Sequence, residues 1–132
     1  MAKKILIVED YPHIVDVLRI RLEAAGYQVL SAVDGQEGLN LARRETPDLI
    51  ILDVMLPKIN GYKVCRFLKF DAKYKNIPIF LLTARGKPED IETGKATGAD
   101  EYIVKPYDPQ ALLALIRRYL AQPQVAAPGG RP

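Results

Sequence analysis

The 132-residue chain has a single cysteine, Cys65, a single histidine, His13, and no apolar run longer than about six residues. A lone thiol excludes an internal disulfide and cannot by itself build a zinc site. Runs of that length fall far short of the ~20 residues that span a bilayer, so no membrane helix is expected. Lys3 and Lys4 precede the first apolar run, yet that run stops at Val8 and meets an acid pair. A secretory signal peptide is therefore not expected, and a cytoplasmic setting is. There is also no long block of one charge. The 19 Lys and Arg residues are scattered among 16 Asp and Glu residues for a net charge of +3, with no aromatic-interleaved basic stripe. Charge alone makes no case for direct nucleic-acid binding. No internal repeat is present.

What is present fits one soluble packed domain: 48% hydrophobic and 27% charged residues in a chain of ordinary domain length. Apolar runs suited to buried strands occur at Ile5 to Val8, Val29 to Ala32, Leu49 to Leu52, Ile79 to Leu82 and Tyr102 to Val104. Helical patterns separate them. Ile14, Val17, Leu18, Leu22 and Ala25 recur at spacings of three and four, and Gly26 stops that helix. Asp34 and Glu37 are spaced as a capping box ahead of Leu39 and Ala42. Asn60 caps a third helix that buries Val64 and Leu68, and Pro88 is the first-turn proline of a fourth. Asp108 and Pro109 open a fifth, with Leu112, Leu113, Ile116 and Leu120 on one side. Strands alternating with helices give an α/β fold with a parallel sheet covered on both faces, because each parallel connection needs a crossover of helical length. One domain is expected over residues 1–121. From Gln122 the segment QPQVAAPGGRP has no periodic apolar face and reads as a flexible tail or the start of a linker.

Two of the apolar runs, KKILIVED and DLIILDVMLP, drive straight into carboxylates. In an open parallel sheet ligands bind beyond the carboxyl ends of the strands, where the strand order reverses. Glu9 and Asp10 follow the first strand, Asp53 the third, Thr83 the fourth and Lys105 the fifth, so all five can converge on one edge. Crowded carboxylates need a cation, and hard all-oxygen ligands favour Mg²⁺ together with a substrate phosphate.

Taken together, IVED, LDVMLPKINGYKV, LLTA and EYIVKP, in this order over Lys3 to about Ala121, resemble the receiver domain of two-component response regulators. The resemblance implies a flavodoxin-like doubly wound (βα)5 sandwich with strand order 2-1-3-4-5. It implies that Asp53 accepts a phosphoryl group, that Asp10 binds Mg²⁺ directly and Glu9 largely through water, and that the backbone carbonyl of Met55 completes the protein's share of the metal shell. Thr83 and Lys105 would contact phosphoryl oxygens, and Lys105–Pro106 would be a cis bond. Tyr102 would be the aromatic switch that turns inward with Thr83; otherwise it is a partly buried ring with a solvated hydroxyl. The implied partners are a sensor histidine kinase or histidine phosphotransfer protein, a downstream protein, and a second copy docking through the fourth helix, fifth strand and fifth helix. Asp100, Glu101, Arg117 and Arg118 supply charges there.

Phosphoryl transfer needs a nucleophile, a metal and fixed donors around the transferring group, and these residue types supply them. The resemblance implies a module that assists transfer and its own dephosphorylation and is not a turnover enzyme. A Mg²⁺-dependent phosphohydrolase with an aspartyl intermediate would need a second acid in a DxD spacing, which is missing after the first and third strands. The alternative of a phosphorylation-independent binding module is argued against by the complete set Asp10, Asp53, Thr83 and Lys105. Arg85, two residues beyond Thr83, flanks the site and is expected to influence the phosphorylated lifetime. His13 is read as a surface residue, Cys65 as a packed helix residue, and Gly61 as allowing close approach of the loop after Asp53 to the third helix.

Overall fold

In the computed structural model, residues 2–121 are described, and the segment expected as a tail from Gln122 lies outside them. The chain alternates β1 (Lys4–Val8), α1 (Pro12–Ala24), β2 (Gln28–Ala32), α2 (Gly35–Glu45), β3 (Leu49–Leu52), α3 (Gly61–Lys69), β4 (Ile79–Thr83), α4 (Pro88–Ala96), β5 (Glu101–Val104) and α5 (Pro109–Leu120). All strand pairs are parallel, in the order β2-β1-β3-β4-β5, as expected.

Each central strand is buried on both faces, which is why its sequence is a continuous aliphatic run and not an alternating one. Side chains still alternate. Leu6, Val8, Ile50, Leu52, Ile79 and Leu81 pack with Leu39, Ala42, Val64 and Leu68 of α2 and α3. Ile5, Ile7, Leu49, Ile51, Phe80 and Leu82 pack with Val15, Leu18 and Leu22 of α1 and with Leu112, Ile116 and Leu120 of α5. At roughly 1.5–3 kcal/mol for each fully buried large aliphatic or aromatic side chain, these two layers dominate stability.

The caps form largely as the sequence requires. Asp34 accepts from the backbone of Glu37 at 2.7 Å, Asn60 from Lys63 at 3.0 Å and Asp108 from Gln110 at 3.0 Å. The carboxylate of Glu37 reaches the backbone N–H of Val33 at 2.9 Å, one residue before the cap, so the expected box is displaced by one position. Gly26 lies at φ 96°, the left-handed conformation that ends α1. The buried stripe of α1 differs from the expectation. It is Val15, Leu18 and Leu22, whereas Val17 is 45% exposed and Ile14 only half-buried. The 15-18-22 spacing already fills the strip facing the sheet, and Val17 is turned about 100° from its neighbour Leu18.

Cys65 is fully buried, and burial pushes its thiol up to about 11, so it is an inert packing residue. His13 is exposed. At Gly61 a Cβ would collide with the backbone carbonyl of Asp53 and crowd Cα of Val54, so helix α3 touches the loop after β3 main chain to main chain. Backbone cannot retreat as a flexible side chain can. Gly61→Ala is expected to lower stability by about 1–3 kcal/mol, the usual cost of overpacking, read as a lower urea midpoint at unchanged slope.

Candidate functional site

Ladder hydrogen bonds run one residue past the strands and fix where the acids begin. Glu9 donates its backbone N–H to Ala32 at 3.0 Å, Asp53 to Val8 at 3.0 Å and Lys105 to Thr83 at 2.8 Å. The side chains of Glu9, Asp10, Asp53 and Lys105 are therefore set at the carboxyl edge of the sheet by the same register that aligns the core. One carboxylate oxygen from each of Glu9, Asp10 and Asp53 lies within 4.8 Å of the others.

Lys105 bridges two of the acids. Its Nζ is 2.9 Å from Glu9 Oε1 and 3.3 Å from Asp53 Oδ2. Glu9 and Asp53 are only 3% and 7% exposed, so their charges are poorly hydrated. Burial pushes the Glu9 carboxyl up; the Lys105 hydrogen bond opposes this, and the Asp53 charge reinforces it. For Lys105, burial pulls down, but Glu9 and Asp53 outweigh it and the ammonium is held above its ordinary range. The remaining oxygens are tied locally: Glu9 Oε2 accepts from the backbone of Tyr11 at 3.3 Å and Asp53 Oδ1 from that of Met55 at 3.2 Å. Asp10 Oδ1 alone is buried without a partner among the described residues. An all-oxygen cluster with one orphaned buried carboxylate oxygen fits a hard divalent cation such as Mg²⁺.

Thr83 is fully buried, and its Oγ1 accepts the backbone N–H of Arg85 at 3.3 Å. The Lys105–Pro106 bond is cis, as expected. Beside Asp53 lies a cavity of about 550 Å³ lined by Val54, Met55, Leu56, Asn60, Tyr62 and Arg85.

The Tyr102 hydroxyl is not left to solvent. It donates to the backbone carbonyl of Arg85 at 2.7 Å and lies 3.1 Å from the Tyr62 hydroxyl. Burial is the first cause pushing its ionisation well above the usual tyrosine range. Arg85 is itself tethered, with Nε and Nη2 at 3.2 and 3.0 Å from Asp90 Oδ1. Of the four charges expected to face a partner, Asp100, Arg117 and Arg118 are exposed. The acids have internal duties: Asp100 accepts from Lys69 Nζ and the backbone of Ile79, both at 2.8 Å, and Glu101 accepts from the Tyr119 hydroxyl at 2.6 Å. Sequence reasoning missed Tyr62, Asp90 and Gly94 altogether. Only Gly94, a glycine inside a helix, carried a signal that could have drawn attention.

The family model for the response regulator receiver domain matches residues 5–117. The chain belongs to the response regulator receiver family. It is 47% identical over 117 residues to the DNA-binding dual master transcriptional regulator RpaA of Synechocystis, covering 89% of this chain and 48% of that protein. The chain spans about half the length of the curated relatives it matches. Among solved structures, the chemotaxis response regulator CheY4 of Vibrio cholerae superposes with a TM-score of 0.83 at 36% identity, over 90% of this chain and 99% of that one. The receiver domain of sensor histidine kinase PA1611 from Pseudomonas aeruginosa, which holds a magnesium ion in its active-site cleft, superposes with a TM-score of 0.84 at 30% identity, over 92% and 99%.

The charge balance of this receiver has a measurable consequence. Lys105→Met leaves buried Glu9 and Asp53 without their cation and is expected to cost about 3 kcal/mol near neutral pH, the low end for a buried pair that loses one partner. The raised Lys105 contributes fully below the ordinary lysine pKa and loses its contribution as pH climbs through its own higher value. On the acid side, the difference between variant and wild type shrinks once pH falls through the raised Glu9 value, because a protonated carboxyl needs no counter-charge. Urea unfolding of both proteins across pH tests this window.

Proposed function

We propose that this chain is a phosphorylation-dependent switch in which Asp53 takes a phosphoryl group from a sensor histidine kinase or a histidine phosphotransfer protein. The observation that carries the reading is the Glu9–Asp10–Asp53 cluster, with Glu9 and Asp53 buried and Lys105 already at 2.9 and 3.3 Å from these two. A carboxylate oxygen of Asp53 attacks phosphorus in line as the bond to the donor's leaving nitrogen breaks, and the leaving imidazole takes up a proton from solvent. Asp10, Asp53 and the Met55 carbonyl, with Glu9 through water, would hold Mg²⁺, which would supply charge neutralisation at the phosphoryl oxygens. Support for this division comes from the orphaned Asp10 Oδ1 and from the Lys105 bond that already engages Glu9. The magnesium in the similar PA1611 receiver points the same way.

Lys105 then moves its ammonium from carboxylate to phosphoryl oxygen, a short transfer between acceptors of like charge. Thr83 exchanges its contact with the Arg85 backbone for a phosphoryl oxygen, and Tyr102 reports that change to the surface of α4, β5 and α5, which a downstream protein or a second copy reads. Arg85 modulates the lifetime of the phosphorylated state from the rim. DNA binding, named for the relative RpaA, is assigned to the part of such regulators that this chain does not span, and not to residues 1–121.

Incubation with Mg²⁺ and acetyl phosphate is expected to add one phosphoryl group at Asp53, and Asp53→Asn to abolish it with the fold unchanged; mass-spectrometric mapping to another residue overturns the assignment. Asp10→Asn is expected to weaken Mg²⁺ binding more than Glu9→Gln. Metal titration of the two variants ranks them, and a reversed order exchanges their roles.

A further inference from the structure

Helix α4 is held to the rest of the molecule with almost no apolar burial. Its own buried residues are Asp90 and Gly94, whereas α3 buries Val64, Cys65 and Leu68. Polar ties hold its first turn instead. The Tyr62 hydroxyl, on the first turn of α3, lies 3.0 Å from the backbone carbonyl of Asp90. The Asp90 carboxylate holds the Arg85 guanidinium and, at 3.3 Å, the backbone N–H of Lys87. With Tyr102 bound to the Arg85 carbonyl and 3.1 Å from Tyr62, the ring closes through α3, α4, the loop before α4 and β5.

Two phenols carry two protons for three contacts. The shortest contact, 2.7 Å to the Arg85 carbonyl, takes the Tyr102 proton. The Tyr62 proton is then shared between the Asp90 carbonyl and the Tyr102 oxygen, so Tyr62 is the donor in both. A separate observation fixes the ring itself: a Cβ at Gly94 would collide with Cδ2 and Cε2 of Tyr102. Glycine is a poor residue inside a helix, and here it opens the slot in which the ring lies.

We infer that Tyr62 is a positioning residue for Tyr102: its hydroxyl, with the Gly94 slot, holds the Tyr102 ring against α4 before any phosphoryl group arrives. This rests on the proposed role of Tyr102 as the switch. The surface of α4 and β5 therefore sits largely in its ring-in arrangement in the unmodified protein, and phosphorylation tightens a state already populated.

The test is NMR on tyrosine-labelled full-length protein, reading the nuclear Overhauser contact between the Tyr102 ring and the Gly94 α-protons without any phosphoryl analogue. Wild type is expected to show the contact strongly. Tyr62→Phe keeps the aromatic body and removes one donor, and its ring-in to ring-out ratio is expected to fall about fivefold, the population equivalent of one hydrogen bond. Addition of Mg²⁺ and beryllofluoride is expected to restore it. Gly94→Ala is expected to drive the ring out under both conditions. A wild-type ring that points outward without the analogue, or an undiminished contact in Tyr62→Phe, overturns the inference. The fluorine signal of a beryllofluoride adduct at Asp53 is read separately: its absence defeats the phosphoacceptor reading, while the analogue-free comparison still decides the role of Tyr62.

Discussion

Three carboxylates at the edge of the sheet, with oxygens within 4.8 Å of one another and two of the side chains almost fully buried, are the constraint to which the rest of the molecule answers. Unopposed, such charges would push the edge apart or take up protons. Lys105 opposes them, yet a single ammonium against three acids leaves a net negative site, and the Glu9 carboxyl is raised, by burial first and by the Asp53 charge in addition. A divalent cation would neutralise the site, and a phosphoryl group on Asp53 would restore negative charge. Each ligand in the proposed cycle thus compensates for the one before. The protein's part is to hold the acids together while the compensation is incomplete.

That holding force comes from a sheet that cannot slip. Because both faces of β1, β3 and β4 are packed, a shift by one residue would exchange two different sets of neighbours, Leu6 and Val8 for Ile5 and Ile7, against helices already fitted to one set. The backbone bonds of Glu9, Asp53 and Lys105 extend the same ladder into the site. Aliphatic burial therefore offsets electrostatic crowding at a distance of one or two residues. The main-chain contact at Gly61 adds a second brace, anchoring the loop beyond Asp53 to α3.

The parts of the molecule that rest on local chemistry were legible in the sequence. Strand runs, the caps at Asp34, Asn60 and Asp108 and the stop at Gly26 each depend on residues a few positions apart. The approach of Glu9, Asp10, Asp53 and Lys105 to one another was legible too, since a parallel sheet sends all its strand ends to one edge. What escaped depends on contacts between elements. Val17 and Val15 are equally apolar, and only the angle of α1 on the sheet decides which is buried. Asp100 and Glu101 looked like free surface charges because nothing local marks Lys69 and Tyr119 as their partners, 31 and 18 residues away. Tyr62 reads as a helix aromatic until the chain brings α3 beside Tyr102.

The placement of weak apolar packing is itself informative. Helices α1, α2, α3 and α5 bury aliphatic stripes worth several kcal/mol each, and elements so held would move only at comparable cost. Helix α4 buries an aspartate and a glycine instead. Hydrogen bonds contribute about 1 kcal/mol apiece, so an element held by a few of them lies within reach of a single charge added nearby. A switch requires two arrangements separated by a few kcal/mol, since a ligand shifts an equilibrium only by its differential affinity for the two states. In the proposed switch, the polar ring of Tyr62, Asp90, Arg85 and Tyr102 would give α4 a gap of that size, and its link from Arg85 to the Thr83 hydroxyl runs toward the proposed phosphorylation site. The rigid core and the proposed adjustable helix are thus one design seen at two edges: the sheet fixes the charges, and α4, whose buried residues are Asp90 and Gly94, is the element the proposed switch would move.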